Sequence, residues 1–301
     1  MKFLRFLYLI IREGSLQHTP FNFEEERRKV LNQLPQSKSI ELFSYKKIIK
    51  LKVRQSKIAY SLLANLSYLR HARKMNVMLF VSAQKQLIYI RILKSASTSL
   101  LKEFLPIIDT KLDGYSLSNE QIDALAFNYV KRKQSPIDDH YQLFSLVRNP
   151  FHRIVSVYLD LFNPLSTYFT YESYWFGILN RSMSFREFIN IISQVPDSLK
   201  GPHFASQCYI LSNTTELNHI SCFRIDKDQE SLHQFLTTYG IHLSHQNKKE
   251  STYNFMTFYD LEVLNKVYKM YKQDVIQFEY QFEYNQLLSL VSHSTLNDSR
   301  R

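Results

Sequence analysis

Residues 87–106 read LIYIRILKSASTSLLKEFLP, and this stretch decides the fold. Its first seven residues are apolar apart from one arginine and rich in β-branched side chains, which is typical of a strand buried on both faces. A lysine and a cluster of hydroxyl side chains follow, and apolar residues then recur at helical spacing from Leu100 until Pro106. The order strand, turn, helix predicts an anion site, because a helix N-terminus offers unpaired N–H groups and the positive end of its dipole.

The turn between this strand and helix is predicted to bind phosphate. Lys94 supplies a mobile charge that can follow a phosphate or a leaving oxygen, and the hydroxyl groups add hydrogen-bond donors. The residues assigned to this site are Lys94, Ser95, Ala96, Ser97, Thr98 and Ser99. The turn lacks the Gly-x-x-x-x-Gly-Lys-[Ser/Thr] pattern of nucleoside-triphosphate loops, which disfavours a kinase or an ATPase.

A second segment repeats the arrangement. Residues 141–147, YQLFSLV, predict a strand, and Asn149 and Pro150 are typical of the N-cap and first position of the helix that follows. Arg148 then lies at the carboxyl end of its strand, where open α/β sheets collect their ligands, so it is expected to converge with Lys94 on one ligand. Ser156 leans back toward the same helix N-terminus, and with Arg148 it is predicted to hold a second phosphate.

With these two segments the chain resembles the sulfotransferases that use 3′-phosphoadenosine-5′-phosphosulfate, specifically the carbohydrate O-sulfotransferase branch of family 2 type. Residues 93–99 are similar to the element Pro-Lys-x-[Gly/Ala]-[Ser/Thr]-[Thr/Ser]-Ser that binds the 5′-phosphosulfate, with Leu93 in place of proline. Residues 148–158 contain the whole element Arg-[Asp/Asn]-Pro-x-x-Arg-x-x-Ser-x-Tyr that binds the 3′-phosphate. Within it, Arg153 either neutralises the nucleotide or pairs with a structural carboxylate.

Three later stretches add to the resemblance. Residues 203–207 are similar to the family's His-[Trp/Phe]-x-Pro-Gln, residues 223–226 to a strand ending in Arg-x-Glu, and residues 271–280 to the closing helix. In the closing helix Glu279 stands where the family has glycine. The resemblance runs from about residue 86 to residue 280.

The resemblance implies a P-loop-like three-layer α/β/α fold with a central parallel sheet. It also implies in-line transfer of a sulfuryl group, without a metal, from 3′-phosphoadenosine-5′-phosphosulfate to a hydroxyl of a saccharide or polysaccharide. Lys94 would stabilise the departing oxygen, and His203 would act as general base, with Asp160 and Glu172 as substitutes. The residues Lys248, Lys249 and Ser251 would belong to a loop that closes over the nucleotide.

The charge distribution suggests three parts. The chain has 301 residues and a net charge of +11, and the excess lies in the first 75 residues. We expect residues 1–75 to form a basic, mainly helical extension, residues 76–285 the catalytic domain, and residues 286–301 a polar tail. The extension is interpreted as a solvated helical face, a surface for a polyanionic glycan, or a contact with an acidic membrane leaflet. Nucleic acid is not expected, because no zinc spacing, helix-turn-helix signal or aromatic RNA-binding motif accompanies the basic residues.

The first eleven residues are apolar but satisfy neither a signal peptide nor a membrane span, since Arg5 interrupts them and no small-x-small cleavage site follows. A cytoplasmic location is therefore expected. Peripheral membrane contact and a truncated Golgi anchor are the alternatives. The two cysteines, Cys208 and Cys222, lack metal spacing and are interpreted as buried thiols in a reducing compartment.

Two other functions fit parts of the sequence. One is a nucleotide or sugar kinase, which would need Mg²⁺ and a triphosphate. The other is an inactive relative that serves as a basic glycan- or membrane-binding module. Residues 163–181, rich in tyrosine and phenylalanine, are interpreted either as a lid or acceptor-binding wall or as an irregular part of the core.

Overall fold

A computed structural model of the chain describes residues 78–118, 121–122, 125, 140–162, 177–179, 182–214, 217–243 and 254–298, with residues 8 and 11. The basic extension predicted for residues 1–75 lies almost wholly outside these ranges, as does most of the aromatic segment 163–181. Lys248, Lys249, Ser251 and Glu172 also lie outside the described residues.

Within the described residues, one sheet contains the strands β1 (Met78–Ser82), β2 (Leu87–Arg91), β3 (Gln142–Val147) and β4 (Ile220–Arg224). The strands lie in the order β1-β2-β3-β4. β2, β3 and β4 run parallel, and β1 pairs antiparallel with β2 through a short hairpin. The central parallel sheet predicted from the sequence is confirmed, and the hairpin adds an antiparallel edge.

Helices follow the strands where the sequence predicts them. Asn149 caps its helix by accepting a hydrogen bond from the N–H of Phe151 at 2.9 Å, and Ser184 and Glu187 form the capping box of another. Gly240, with φ of 73°, ends a third in a left-handed cap. The helices are α1 (Ser97–Ile108), α2 (Pro150–Leu161), α3 (Phe185–Ile192), α4 (Gln207–Ser212), α5 (Gln229–Thr238), α6 (Leu261–Gln277) and α7 (Gln281–Asp298). No helix among the described residues combines the length and apolar character needed to cross a membrane.

Successive side chains along each strand point to opposite faces of the sheet, and the core accordingly has two layers. On β2, Leu87 and Tyr89 point into a cluster that includes apolar residues of α1 and α5. Ile88 and Ile90 point the other way, into a cluster with residues of α2, α3 and α6. Helices therefore cover both faces of the sheet, and the three-layer α/β/α architecture is confirmed.

The chain around Pro106 differs from the prediction. Pro106 was expected to stop α1, but the helix continues to Ile108. A proline inside a helix removes the N–H that would bond the carbonyl one turn earlier, here that of Lys102. The backbone of Gly114 packs there, so closely that a Cβ atom on Gly114 would lie 2.2 Å from the carbonyl oxygen of Lys102.

The C-terminal boundary also needs correction. Residues 286–301 were expected to form a polar tail, but α7 extends to Asp298. Leu287 and Val291, one helical turn apart, are each only 4% exposed and join the core cluster that contains α6 residues. The domain therefore continues through α7, because spaced apolar residues in this polar stretch bury against α6.

Candidate active site

The first phosphate loop, residues 94–96, joins β2 to α1 in a backbone conformation that side chains rarely adopt. Lys94 has φ of 67° and Ala96 has φ of 54°, both in the left-handed region. Ala96 occupies the N-cap of α1, and no side chain caps the helix there. Each left-handed residue costs about 1 kcal/mol or more, and such strain concentrates where a turn must aim its N–H groups at a ligand.

Arg148 begins the second phosphate loop, residues 148–149, directly beside the first. It follows β3, whose parallel pairing with β2 brings the two carboxyl ends to one edge of the sheet. Its Nη1 donates a hydrogen bond to the carbonyl oxygen of Lys94 at 3.2 Å. The structure thus brings together the two segments that the sequence analysis assigned to one ligand. Ser156 lies half-buried on α2, the helix that this loop opens.

Arg153, although it belongs to the same motif, lies behind the loops. Its side chain is 1% exposed. Nε donates to the carbonyl of Leu93 at 3.0 Å, Nη1 to that of Ala205 at 3.0 Å, and Nη2 to that of Pro202 at 3.1 Å. Its partners are backbone carbonyls, whereas the sequence analysis expected a nucleotide or a carboxylate. Burial leaves little of the guanidinium accessible to a ligand, so Arg153 joins the first phosphate loop to the chain around residues 202–205.

Arg91 is a buried cation at the site that the sequence analysis did not assign. It ends β2, is 4% exposed, and its Nε donates to Oγ of Ser97 at 3.3 Å. Ser97 is the first residue of α1, so this charge lies against the helix N-terminus behind the first phosphate loop. The sequence does contain a sign of this residue, since Arg91 interrupts an otherwise apolar strand. A buried charge is unfavourable unless it is paired or hydrogen-bonded, so a charge at such a position suggests a function.

His203 lies half-buried in the turn before α4, within the electrostatic field of the same cations. Burial, together with the charges of Lys94, Arg153 and Arg91, lowers the pKa of His203 to about 3. The imidazole is therefore neutral near pH 7 and able to accept a proton. The predicted general base thus lies within the electrostatic influence of Lys94.

A second histidine, His152, lies close enough to Arg148 for that charge to lower its pKa. The ring of His152 packs against that of Phe255, with centroids 3.7 Å apart. Burial, followed by the charge of Arg148, lowers the pKa of His152 to about 4, although Asp226 and Glu283 act in the opposite direction. Both shifts arise first from burial, and the charge of Arg148 at His152 and those of Lys94, Arg153 and Arg91 at His203 add to it.

Lys94 has an anionic partner on α2. Nζ of Lys94 lies 2.7 Å from Oδ2 of Asp160. The side chains are 24% and 53% exposed, so the pair lies at the mouth of the site. Asp160 was considered above as a substitute base, and the structure places it in contact with Lys94.

The geometry agrees with a comparison against known families. The profile of the sulfotransferase family matches residues 77–281, which is more than half of the chain and includes both phosphate loops. The chain belongs to the sulfotransferase family. A search among curated proteins and a search among solved structures each gave no significant match.

Membership in the sulfotransferase family defines the general chemistry. A sulfotransferase takes a sulfuryl group from a donor and passes it to an acceptor, and both loops of this sulfotransferase lie inside the matched region. Among the described residues, no group of three or more histidine, cysteine, aspartate or glutamate side chains is arranged to hold a metal ion. Like Arg91, Gln207 and Asp274 are not predicted from the sequence as site residues, yet Oε1 of Gln207 accepts a hydrogen bond from the N–H of Arg148, and Asp274 accepts one from the N–H of Gln207.

Proposed function

We propose that this sulfotransferase transfers the sulfuryl group of 3′-phosphoadenosine-5′-phosphosulfate to a hydroxyl of a saccharide. The observation that carries the proposal is the contact between the two phosphate loops, Arg148 Nη1 to Lys94 O at 3.2 Å. Two adjacent cationic loops suit a donor with two separate phosphate groups better than a donor with one. The saccharide acceptor is supported by the resemblance to the carbohydrate O-sulfotransferase branch.

In this proposal the first phosphate loop and the start of α1 hold the 5′-phosphosulfate. Backbone N–H groups at the uncapped N-terminus of α1, with the hydroxyls of Thr98 and Ser99, face the anion. The buried charge of Arg91 adds to the favourable potential from behind the loop. Arg148 and Ser156 hold the 3′-phosphate, for which the planar guanidinium offers two parallel donors.

The transfer is an in-line substitution at sulfur. The acceptor oxygen forms a new S–O bond while the bond from sulfur to the bridging phosphate oxygen breaks, and negative charge develops on that departing oxygen. Lys94 neutralises this charge, and a ring nitrogen of His203 takes the proton of the acceptor hydroxyl. As in phosphoryl transfer, the protein contributes mainly positioning and electrostatic stabilisation.

The neutral state of His203 fits the role of a base, but a pKa near 3 makes a weak one in the empty site. Bound donor brings negative charge next to Lys94, which offsets the cations that disfavour the imidazolium. His203 therefore becomes a stronger base when the donor is present.

The proposal is tested by calorimetric titration with adenosine 3′,5′-bisphosphate, 5′-AMP and ATP, each in the presence of EDTA and again in the presence of Mg²⁺. We expect the bisphosphate to bind best, and Arg148→Ala to remove that preference. Arg186→Ala is the matched control, since Arg186 is an exposed arginine whose ion-pair partners are Asp260 and Glu262. Transfer of labelled sulfate to a panel of saccharides then tests the acceptor class.

Each failure has a distinct meaning. Binding of ATP only with Mg²⁺ would support a kinase instead. Binding of a glycan without any affinity for the bisphosphate would support a binding module that lacks the enzymatic reaction. Transfer of sulfate to a non-saccharide hydroxyl alone would retain the donor and overturn the acceptor.

A further inference from the structure

A single buried side chain, that of Gln207, connects the two phosphate loops. Gln207 is the first residue of α4 and is 0% exposed. Its Oε1 accepts a hydrogen bond from the N–H of Arg148 at 3.0 Å and a longer one from Oγ of Ser95 at 3.4 Å. Its Nε2 donates to the carbonyl oxygen of Arg148 at 2.8 Å. One carboxamide therefore bonds both backbone groups of Arg148 and the side chain of Ser95.

The carboxamide is itself held in place from the opposite side. The N–H of Gln207 donates to Oδ2 of Asp274 at 2.9 Å, and the N–H of Cys208 donates to Oδ1 at 2.8 Å. Asp274 is 0% exposed and lies on α6, which packs in the core. The carboxylate thus fixes the N-terminus of α4, and with it the starting point of the Gln207 side chain.

This arrangement bears on the distance between the loops. Ser95 lies in the first phosphate loop and Arg148 in the second, and they belong to different strand-helix units that meet only by folding. The hydrogen bonds of the sheet fix the positions of the strands. The loops lie beyond the strand ends, so their positions depend on additional contacts. A buried amide with three partners defines a loop position more sharply than exposed side chains do, because an alternative position would leave buried polar groups unpaired.

We propose that Gln207 is a positioning residue that holds the two phosphate loops at the spacing of one bisphosphorylated donor. The inference rests on the proposed function and adds a determinant of donor class to it. With the spacing fixed, binding at one loop places the second phosphate at the other, so the second contact is intramolecular and strengthens binding without further ordering. A ligand with a single phosphate uses one loop and gains nothing from the spacing.

The test compares ligands that use one loop or two. Adenosine 3′,5′-bisphosphate, 5′-AMP and 3′-AMP are titrated calorimetrically into the unmodified protein, the variants Gln207→Met and Gln207→Asn, and a control. Gln207→Met keeps the length of the side chain and removes all three hydrogen bonds. Gln207→Asn keeps a neutral carboxamide but shortens the side chain by one methylene, so it cannot reach the same partners. Gln142→Met is the matched control, since Gln142 donates to Ser221 across β3 and β4 at the opposite end of the sheet.

We expect Gln207→Met to weaken binding of the bisphosphate by about tenfold to a hundredfold, while either monophosphate changes by less than about threefold. Gln142→Met is expected to leave all three affinities unchanged. A role limited to stability would give a different pattern, because partial unfolding lowers the apparent affinity for every ligand by the same factor. If Gln207→Met does not fold, Gln207→Asn supplies the same comparison, because it stays neutral and polar but is one methylene too short to hold the same partners.

Two outcomes overturn the inference and can be told apart. If the unmodified protein prefers the bisphosphate but the Gln207 variants retain that preference, or lose affinity for all three ligands equally, the positioning role is wrong and the proposed donor stands. If the unmodified protein shows no preference for the bisphosphate, the proposed donor is wrong, and the inference that rests on it falls too.

Discussion

Nζ of Lys94 lies 2.7 Å from Oδ2 of Asp160, so in the absence of donor the charge proposed to stabilise the leaving oxygen is paired with a carboxylate. Asp160 is near the end of α2, the helix opened by the second phosphate loop. The pair therefore connects the first loop to the helix that follows the second. A donor phosphate that binds Lys94 must compete with this carboxylate for the same ammonium group.

The first prediction follows from that competition. Asp160→Asn removes the competing charge and keeps the shape, so the donor should bind more tightly. An exposed ion pair is worth about 1 kcal/mol or less, and Asp160 is 53% exposed, so the gain should be at most about fivefold. Titration with adenosine 3′,5′-bisphosphate measures the change in affinity. Lys94→Met is the comparison variant, because it removes the ammonium group for which Asp160 and the donor compete. Weaker donor binding in Asp160→Asn would show that the carboxylate orients Lys94 instead of competing for it.

The second prediction separates the two arginines of one motif. Arg153→Lys keeps the charge but leaves at least one of three buried carbonyls without a donor, which should destabilise the fold by about 2 kcal/mol or more. Arg148→Lys should leave the free energy of unfolding nearly unchanged and weaken bisphosphate binding by about tenfold, because a lysine lacks the planar pair of donors. Urea unfolding and calorimetry on both variants make the comparison. Equal losses of stability in the two variants would contradict it.

The contrast between these arginines also shows which features of the structure can be predicted from the sequence. The apolar strand runs and the N-cap at Asn149 are local signals, and the elements that they predict are present. Arg148 and Arg153 belong to one local pattern, yet one is half-buried at the loop and the other is enclosed by carbonyls. Burial depends on what the folded chain places around a residue, and the pattern does not contain that information.

The contacts of Gln207 illustrate the same limit. Its partners Ser95, Arg148 and Asp274 lie far from it in sequence, and nothing in the intervals between them predicts the contacts. The extent of α1 was also misjudged. Pro106 is a strong local stop signal, but it lies in the last turn of α1, where its missing N–H removes a single hydrogen bond, and the helix continues to Ile108.

The third prediction compares two glycines that are needed for different reasons. A Cβ atom at position 114 would lie 2.2 Å from the carbonyl oxygen of Lys102, and backbone cannot rotate away as a side chain can. At position 240 the nearest atom is Nζ of Lys85 at 3.8 Å, so space exists and only the φ of 73° is unfavourable. Gly240→Ala should cost about 1 kcal/mol, and Gly114→Ala about 2 kcal/mol or more. Urea unfolding measures both, and a smaller loss at position 114 than at position 240 would refute the steric explanation.

The fourth prediction concerns the protonation of His203. Burial and the charges of Lys94, Arg153 and Arg91 lower its pKa from 6.5 to about 3 in the folded protein. The unfolded chain therefore takes up a proton first, so the contribution of His203 to stability is present above about pH 6.5 and is lost as the pH falls toward 3. Adenosine 3′,5′-bisphosphate should raise this pKa, because its negative charge offsets the same cations.

Nuclear magnetic resonance of the histidine rings, titrated with and without the bisphosphate, measures the pKa directly, and His203→Gln assigns the signal by its disappearance. Without ligand the ring of His203 should remain neutral as the pH is lowered to about 4, and with ligand it should protonate at higher pH. A ring that titrates near 6.5 in the free protein would show that the cations of the two loops do not act on it. A pKa that the ligand leaves unchanged would place the donor too far from His203 for that residue to serve as the base, and Asp160, which contacts Lys94, would become the candidate.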